Sequence, residues 1–341
     1  MKDKFLEKEK PAILGGEPEF FKKLPVYNTI GKQEIDAAVS VMKSGVLSGY
    51  VANSGEEFFG GDVIVALENA FCKRFSSKYA VSVNSATSGL HSALVAAGVE
   101  QGDEVIVPPY TMSASATTVV MCGAKPVFVD CADDLNIDVN KIEDKISKNT
   151  KAIMPVHWTG KMADMDKIKK IADRNNLLII EDAAQAIGSE LNNYKPGKYS
   201  EFATFSAHPL KPMNAIGDAG YLVTDNDEHA KNINLYRNHG LESRDNTAFY
   251  GVNSRMDGVN AAILRMRLKK LKSVVERRRK NVNLYRDLIK AEEFKIIPCK
   301  QNEYNSFAMF VCFAKDRDRL KLYLSEKGIE SLIYYGNPLH L

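Results

Sequence analysis

The stretch KAIMPVHWTGKMADMDKIKKIADRNNLLIIED, residues 151–182, is where the fold can be read. It begins with a short β-rich run, KAIMPV (151–156), and ends with LLIIED (177–182), a continuous apolar run closed by two carboxylates. Between them Met165, Ile168, Ile171 and Ala172 recur at helical spacing on one face. Strands that are apolar throughout and separated by helices are buried on both faces, so the sheet they form is mostly parallel.

The same rhythm continues in both directions. Toward the N-terminus lie YAVSV (79–83), a helix from about Ser88 to Ala97, EVIVP (104–108), an Ala/Thr/Val stretch near 113–121, PVFVD (126–130) and a helical segment carrying Ile142 and Ile146. Toward the C-terminus FATFS (202–206) and AGYLVT (219–224) complete the strand set. Past about Leu235 the pattern changes: Leu264, Leu268, Leu271 and Val275 form the stripe of a long amphipathic helix. A strand at 306–314, a helix at about 317–327 and IESLIYY (329–335) follow it. The fold class is α/β, with a smaller α+β unit at the C-terminal end. The long helix carries nine Lys/Arg between Arg265 and Lys280 with Glu276 as the only acid, a pattern of either an anion-binding patch or a solvated face. Residues 45–62 hold five glycines and read as a covering loop, not a Walker loop, because no Gly-Lys-Ser/Thr follows.

Composition narrows the class of protein. The 341 residues hold 46 Lys+Arg against 43 Asp+Glu, a net charge of +3, which gives no bulk field for a nucleic-acid partner. Hydrophobic residues at 45% and charged residues at 26% are ordinary globular values and exclude disordered and collagen-like classes. The five cysteines are unpaired by spacing and read as free thiols. The start, MKDKFLEKEKP, has no apolar core of a secretory signal, and the longest apolar region, Val105 to Val129, is broken by prolines and Lys125. The expected location is cytoplasmic, with no membrane partner.

Three segments end predicted strands, where ligands of open α/β sheets gather. Asn84-Ser85-Ala86-Thr87-Ser88-Gly89 opens a helix, so it offers free N–H groups to a phosphate or merely caps its own helix. Glu181 and Asp182 close an apolar strand, where a buried carboxylate needs a cation: a side chain, a metal or the ring of a cofactor. Phe205-Ser206-Ala207-His208-Pro209-Leu210-Lys211 places a lysine beside a serine and a histidine between two buried strands. Taken singly it is a surface lysine; desolvated, it is a Schiff-base nucleophile. Together, a phosphate site, an acid and a lysine in this order are the set that pyridoxal phosphate requires.

The sequence resembles the DegT-type family of pyridoxal-phosphate sugar aminotransferases from about Gly15 to its last residue. GDEVIVPPYT (102–111), GAKPVFVD (123–130), TKAIMPVHWTGKMADMD (150–166), EDAAQAIGS (181–189), FSAHPLK (205–211) and GDAGYLVT (217–224) carry the likeness in order. The resemblance implies fold type I: an N-terminal arm (1–30), a large cofactor domain (31–240) with a mostly parallel seven-stranded sheet, and a small C-terminal domain (241–341). It implies that Lys211 forms the internal aldimine with pyridoxal 5′-phosphate and moves the proton between substrate carbon and cofactor. Asp182 is then the partner of the pyridinium nitrogen and Gln185 of the phenolic oxygen, while Ser206, Ala86 and Thr87 hold the phosphate. In Gly251-Val252-Asn253-Ser254-Arg255-Met256, Asn253 matches a phosphate ligand offered across a homodimer interface, giving shared active sites.

The implied reaction moves an amino group from glutamate or glutamine to a keto-sugar, commonly nucleotide-linked, in surface-polysaccharide or amino-sugar biosynthesis. A free keto-deoxyoctulosonate, a keto-cyclitol, or a non-catalytic cofactor-binding role are the alternatives. Trp158, Tyr110, Tyr304 and the basic helix are candidates for a diphosphate or base site, and equally for core and surface. The family's dehydratase branch has histidine at the aldimine position, which Lys211 argues against. Three departures stand out: Met112 occupies the place of a stacking aromatic, Pro212 follows the lysine, and the chain stops at Leu341 where relatives continue.

Overall fold

The computed structural model describes residues 28–50, 56–290 and 294–341. Most of the N-terminal arm and the middle of the glycine-rich loop therefore lie outside the described residues. The sheet has seven strands: β1 (Tyr79–Val83), β2 (Glu104–Val107), β3 (Lys125–Phe128), β4 (Thr150–Ile153), β5 (Leu178–Asp182), β6 (Phe202–Ser206) and β7 (Gly220–Thr224). Their order is β1-β7-β6-β5-β4-β2-β3, and β7 alone runs against the rest. The register brings Val83 at the end of β1 and Ser206 at the end of β6 opposite Gly220 at the start of β7. Chain ends of six parallel strands thus meet along one edge.

Helices cover both faces: α1 (Lys32–Ser44), α2 (Gly61–Phe75), α3 (Ala86–Ala96), α4 (Ala114–Met121), α5 (Met165–Asn175), α6 (Asp227–Tyr236) and the 31-residue α7 (Gly258–Leu288). The central stretch folds as its pattern dictates. Asp164 caps α5 through the Lys167 N–H, Asn176 ends it in the left-handed region, and Met165, Ile168, Ile171 and Ala172 are its buried residues. Each large apolar side chain so buried contributes about 1.5–3 kcal/mol. On β6, Phe202 and Phe205 face opposite cores. Phe205 and Tyr221 stack beside Phe71 of α2, and Leu264, Leu271 and Val275 of α7 close the same cluster.

The structure corrects two expectations. The segment with Ile142 and Ile146 is two single 3₁₀ turns, Val139–Lys141 and Glu143–Lys145, because Asp138 caps the first and the backbone returns to extended at Ile146. The strand expected over 306–314 is regular only at Cys312–Ala314 (β9), which pairs with Phe294–Ile296 (β8). Residues before it are instead held by side chains of the main body. After α8 (Arg317–Glu326), residues 329–335 form neither helix nor strand. No helix among the described residues is long and apolar enough to cross a membrane.

Candidate active site

At the strand ends lies a cavity of about 620 Å³. Ala86, Thr87, Met112, Asp182, Gln185, Ser206 and Lys211 all line it, although they come from four separate segments of the sequence. Asn253 does not line it: its Oδ1 accepts from Arg255 Nε at 2.9 Å, while the neighbouring Ser254 carbonyl accepts from the Asn84 N–H at 2.8 Å. Trp158, Tyr110 and Tyr304 are also absent from its wall. Trp158 is fully buried, Tyr110 donates to the Tyr334 carbonyl and to the Tyr335 carbonyl at 3.1 Å, and Tyr304 lies 3.9 Å beneath the Arg279 guanidinium.

The N-terminus of α3 forms one wall. Ser85 caps it by accepting from the Ser88 N–H at 3.1 Å, so capping and the anion-site geometry coexist. Gly220 permits its approach: a Cβ there would sit 2.4 Å from the Ser85 carbonyl carbon and 2.6 Å from the Ala86 nitrogen. Across the cleft Ser206 Oγ accepts the His208 N–H at 3.3 Å.

The two carboxylates at the end of β5 point apart. Glu181 is fully buried beneath the sheet edge, receiving the His157 Nε2–H at 2.5 Å, the Gly197 N–H at 2.8 Å and the Ser200 hydroxyl at 2.5 Å. That tautomer follows from His157 Nδ1, which accepts the Ala163 N–H at 3.2 Å. Asp182 faces the cavity, its Oδ2 accepting from Ser115 Oγ at 2.7 Å and its Oδ1 from the Ala184 N–H at 3.1 Å. Gln185 is oriented by a strained turn. Thr159 has φ 56°, and its N–H donates to Gln185 Oε1 at 2.7 Å, which leaves the amide NH₂ as the end free to donate.

Lys211 is half-buried, and among the described residues its ammonium has no hydrogen-bond or ion-pair partner. Burial pushes its pKa below the ordinary lysine value, while the Asp182 charge pulls it back. Met112 stands 56% exposed on the rim, in the place of the family's aromatic residue. Ser115, Thr111 and Thr159 were not identified from sequence. Their signal was faint: Thr111 and Ser115 are four apart, and a serine in a first helical turn reads as a cap.

An anion site at a helix start, a held carboxylate, an amide donor and a desolvated amine form the donor set for pyridoxal 5′-phosphate, and the residues present fit that group. The profile of the DegT/DnrJ/EryC1/StrS aminotransferase family matches residues 31–341. The chain belongs to that family. It is 38% identical over 83% of its length to 77% of a "pleiotropic regulatory protein" of Geobacillus stearothermophilus. It is 37% identical over 85% of its length to 80% of the dTDP-3-amino-3,6-dideoxy-alpha-D-galactopyranose transaminase of Aneurinibacillus thermoaerophilus. Streptomyces venezuelae DesV, solved with a ketimine intermediate, superposes with a TM-score of 0.85 at 34% identity, covering 90% of this chain and 81% of that one. As a member of the family the protein is a pyridoxal-phosphate-dependent aminotransferase of fold type I.

Proposed function

We propose that the protein transfers an amino group from glutamate or glutamine to the keto group of a nucleotide-linked sugar. The observation that carries this reading is Lys211, a desolvated lysine without an ion-pair partner among the described residues, across the cavity from a carboxylate already held by two donors. Related chains named as a dTDP-amino-sugar transaminase, a UDP-sugar 3-aminotransferase and a GDP-perosamine synthase support the acceptor class. Pyridoxal 5′-phosphate, when bound, supplies the electron sink for the exchange. Asp182 would hold its ring nitrogen, the Gln185 NH₂ would donate to the phenolic oxygen, and the α3 N-terminus with Ala86, Thr87 and Ser206 would hold the phosphate. Met112 would supply the apolar contact to the ring from the cavity rim. Lys211 would be the amine that anchors the cofactor carbonyl, and the same amine would take and return the proton at the substrate carbon.

The reading includes a cytoplasmic homodimer in which Asn253 is offered across the interface to the second site. It keeps the division into an arm (1–30), a cofactor domain (31–240) and a C-terminal unit (241–341), with a role in surface-polysaccharide or amino-sugar biosynthesis. The test is the absorption spectrum of protein loaded with cofactor. A Schiff-base band that bleaches with glutamate or glutamine and recovers with a keto-sugar nucleotide is the expected result. A band that persists with every donor, or one that Lys211→Ala retains, overturns it.

A further inference from the structure

We propose that Ser115, through its hydroxyl, is a positioning residue for Asp182, holding that carboxylate toward the cavity and away from Lys211. The proposal rests on the cofactor reading above. Ser115 lies in the first turn of α4, is fully buried, and sits 67 positions from Asp182 in sequence. A serine at such a place ordinarily bonds to its own helix. Here the backbone alternative, the Met112 carbonyl, is 3.4 Å away, whereas Asp182 Oδ2 is at 2.7 Å. The short contact to an ionised acceptor takes the proton.

That assignment gives the neighbouring bond a direction. Thr111 Oγ1 lies 3.0 Å from Ser115 Oγ, and because the Ser115 proton points to Asp182, the Thr111 hydroxyl is the donor. The result is a directed chain, Thr111 to Ser115 to Asp182, running from the cavity wall to the carboxylate. Asp182 Oδ1 separately accepts the Ala184 N–H at 3.1 Å. Each carboxylate oxygen then has one donor, the buried Ser115 hydroxyl and the Ala184 N–H, and together they resist rotation about the group's last torsion. Its remaining lone pairs face the cavity.

Lys211 gives this restraint its purpose. The Asp182 charge reaches Lys211, yet no ion pair between them forms. Without that restraint the carboxylate would be free to swing onto the Lys211 ammonium, holding it charged and unreactive. Ser115 prevents that collapse and keeps the acid ready for the ring nitrogen.

The test compares wild type, Ser115→Ala, Ser115→Thr and Asp182→Asn, each alone, and Ser115→Ala combined with Asp182→Asn, in apo protein titrated with pyridoxal 5′-phosphate by fluorescence. Loss of a hydrogen bond to a charged group is expected to weaken binding about tenfold or more in Ser115→Ala. Ser115→Thr keeps the hydroxyl and stays within a few-fold of wild type. In the Asp182→Asn background the Ser115→Ala penalty disappears, since the pair acts as one unit. An unchanged dissociation constant in Ser115→Ala, or a penalty that persists in Asp182→Asn, overturns the proposal. Should Ser115→Ala fail to fold, Thr111→Val carries the same comparison: a few-fold loss absent from Asp182→Asn supports the chain, and no loss overturns it. Wild type that binds no cofactor overturns the cofactor reading itself, a result separate from either.

Discussion

Lys211 sits under two opposed influences, burial lowering its pKa and the Asp182 charge raising it, and the first is the larger. Capture of an aldehyde needs the neutral amine, so labelling of Lys211 should rise with pH and level off below the range of a free lysine. Asp182→Asn removes the raising influence, and the midpoint should then move lower still; peptide mass spectrometry of Lys211 labelled across a pH series reads both. The sign carries over to stability. In the window between the folded and unfolded values the unfolded chain binds more protons, so apo stability rises with pH, and Lys211→Met should flatten that rise in urea melts. At this scale the sequence named eight positions for the cofactor, and seven of them, all but Asn253, line one cavity. It did not show what holds them. Ser115 and Thr159 are ordinary in composition, and their importance comes from a hydroxyl and a backbone N–H aimed at partners 67 and 26 positions away.

Elements position the site by close approach. The N-terminus of α3 reaches the cavity only because β7 begins with a residue lacking a side chain, and Gly220→Ala would drive a methyl into the Ser85–Ala86 peptide. Such overpacking costs about 1–3 kcal/mol, and here the strain falls on the anion site. The variant is expected to lose affinity for pyridoxal phosphate far more than for pyridoxal, compared by titration, and to unfold at lower urea. Equal losses for both compounds would place the damage elsewhere. Gly160 plays a similar part, with φ 91° and room for no Cβ beside Ser306 Oγ, the Gln185 carbonyl and the Phe307 N–H. Strands and helices were legible wherever apolar spacing was regular, as in α5 and β5. The pattern failed over 139–146, where Asp138 caps a single turn through the Asn140 N–H, a second single turn follows and the backbone is extended by Ile146. It failed also over 306–311, where the Gly160 and Thr159 carbonyls and the side chains of Ser189 and Arg278 hold the backbone in place of a neighbouring strand.

Those partners tie the molecule together. The basic stripe on α7 is in good part internal: Arg278 donates to the Phe307 carbonyl at 3.2 Å and to the Ala308 carbonyl at 2.9 Å, Arg279 to Asn305, Arg286 to Ile297, and Lys270 pairs with Glu34 at 2.8 Å. The segment so held brings Ala308 and Met309 to the cavity wall, with the Ala308 N–H donating to the Thr159 carbonyl at 2.8 Å. One buried ion pair anchors its start. Lys161 meets Glu303, with Asp134 a second carboxylate at 3.6 Å, and the side chains of Lys161 and Glu303 are 6% and 4% exposed. Neither charge is favourable alone in such a place. Lys161→Met leaves Glu303 buried without its cation and should destabilise the fold by about 3–5 kcal/mol in urea unfolding. Lys161→Met combined with Glu303→Leu removes both charges and should recover most of that loss, because a matched apolar pair has no desolvation penalty. The single variant should in addition expose 300–311 to limited proteolysis and raise KM before it lowers kcat, since the segment shapes the cavity but does not touch the amine. A single variant as stable as wild type would show that Lys161 and Glu303 are solvated and do not anchor this segment.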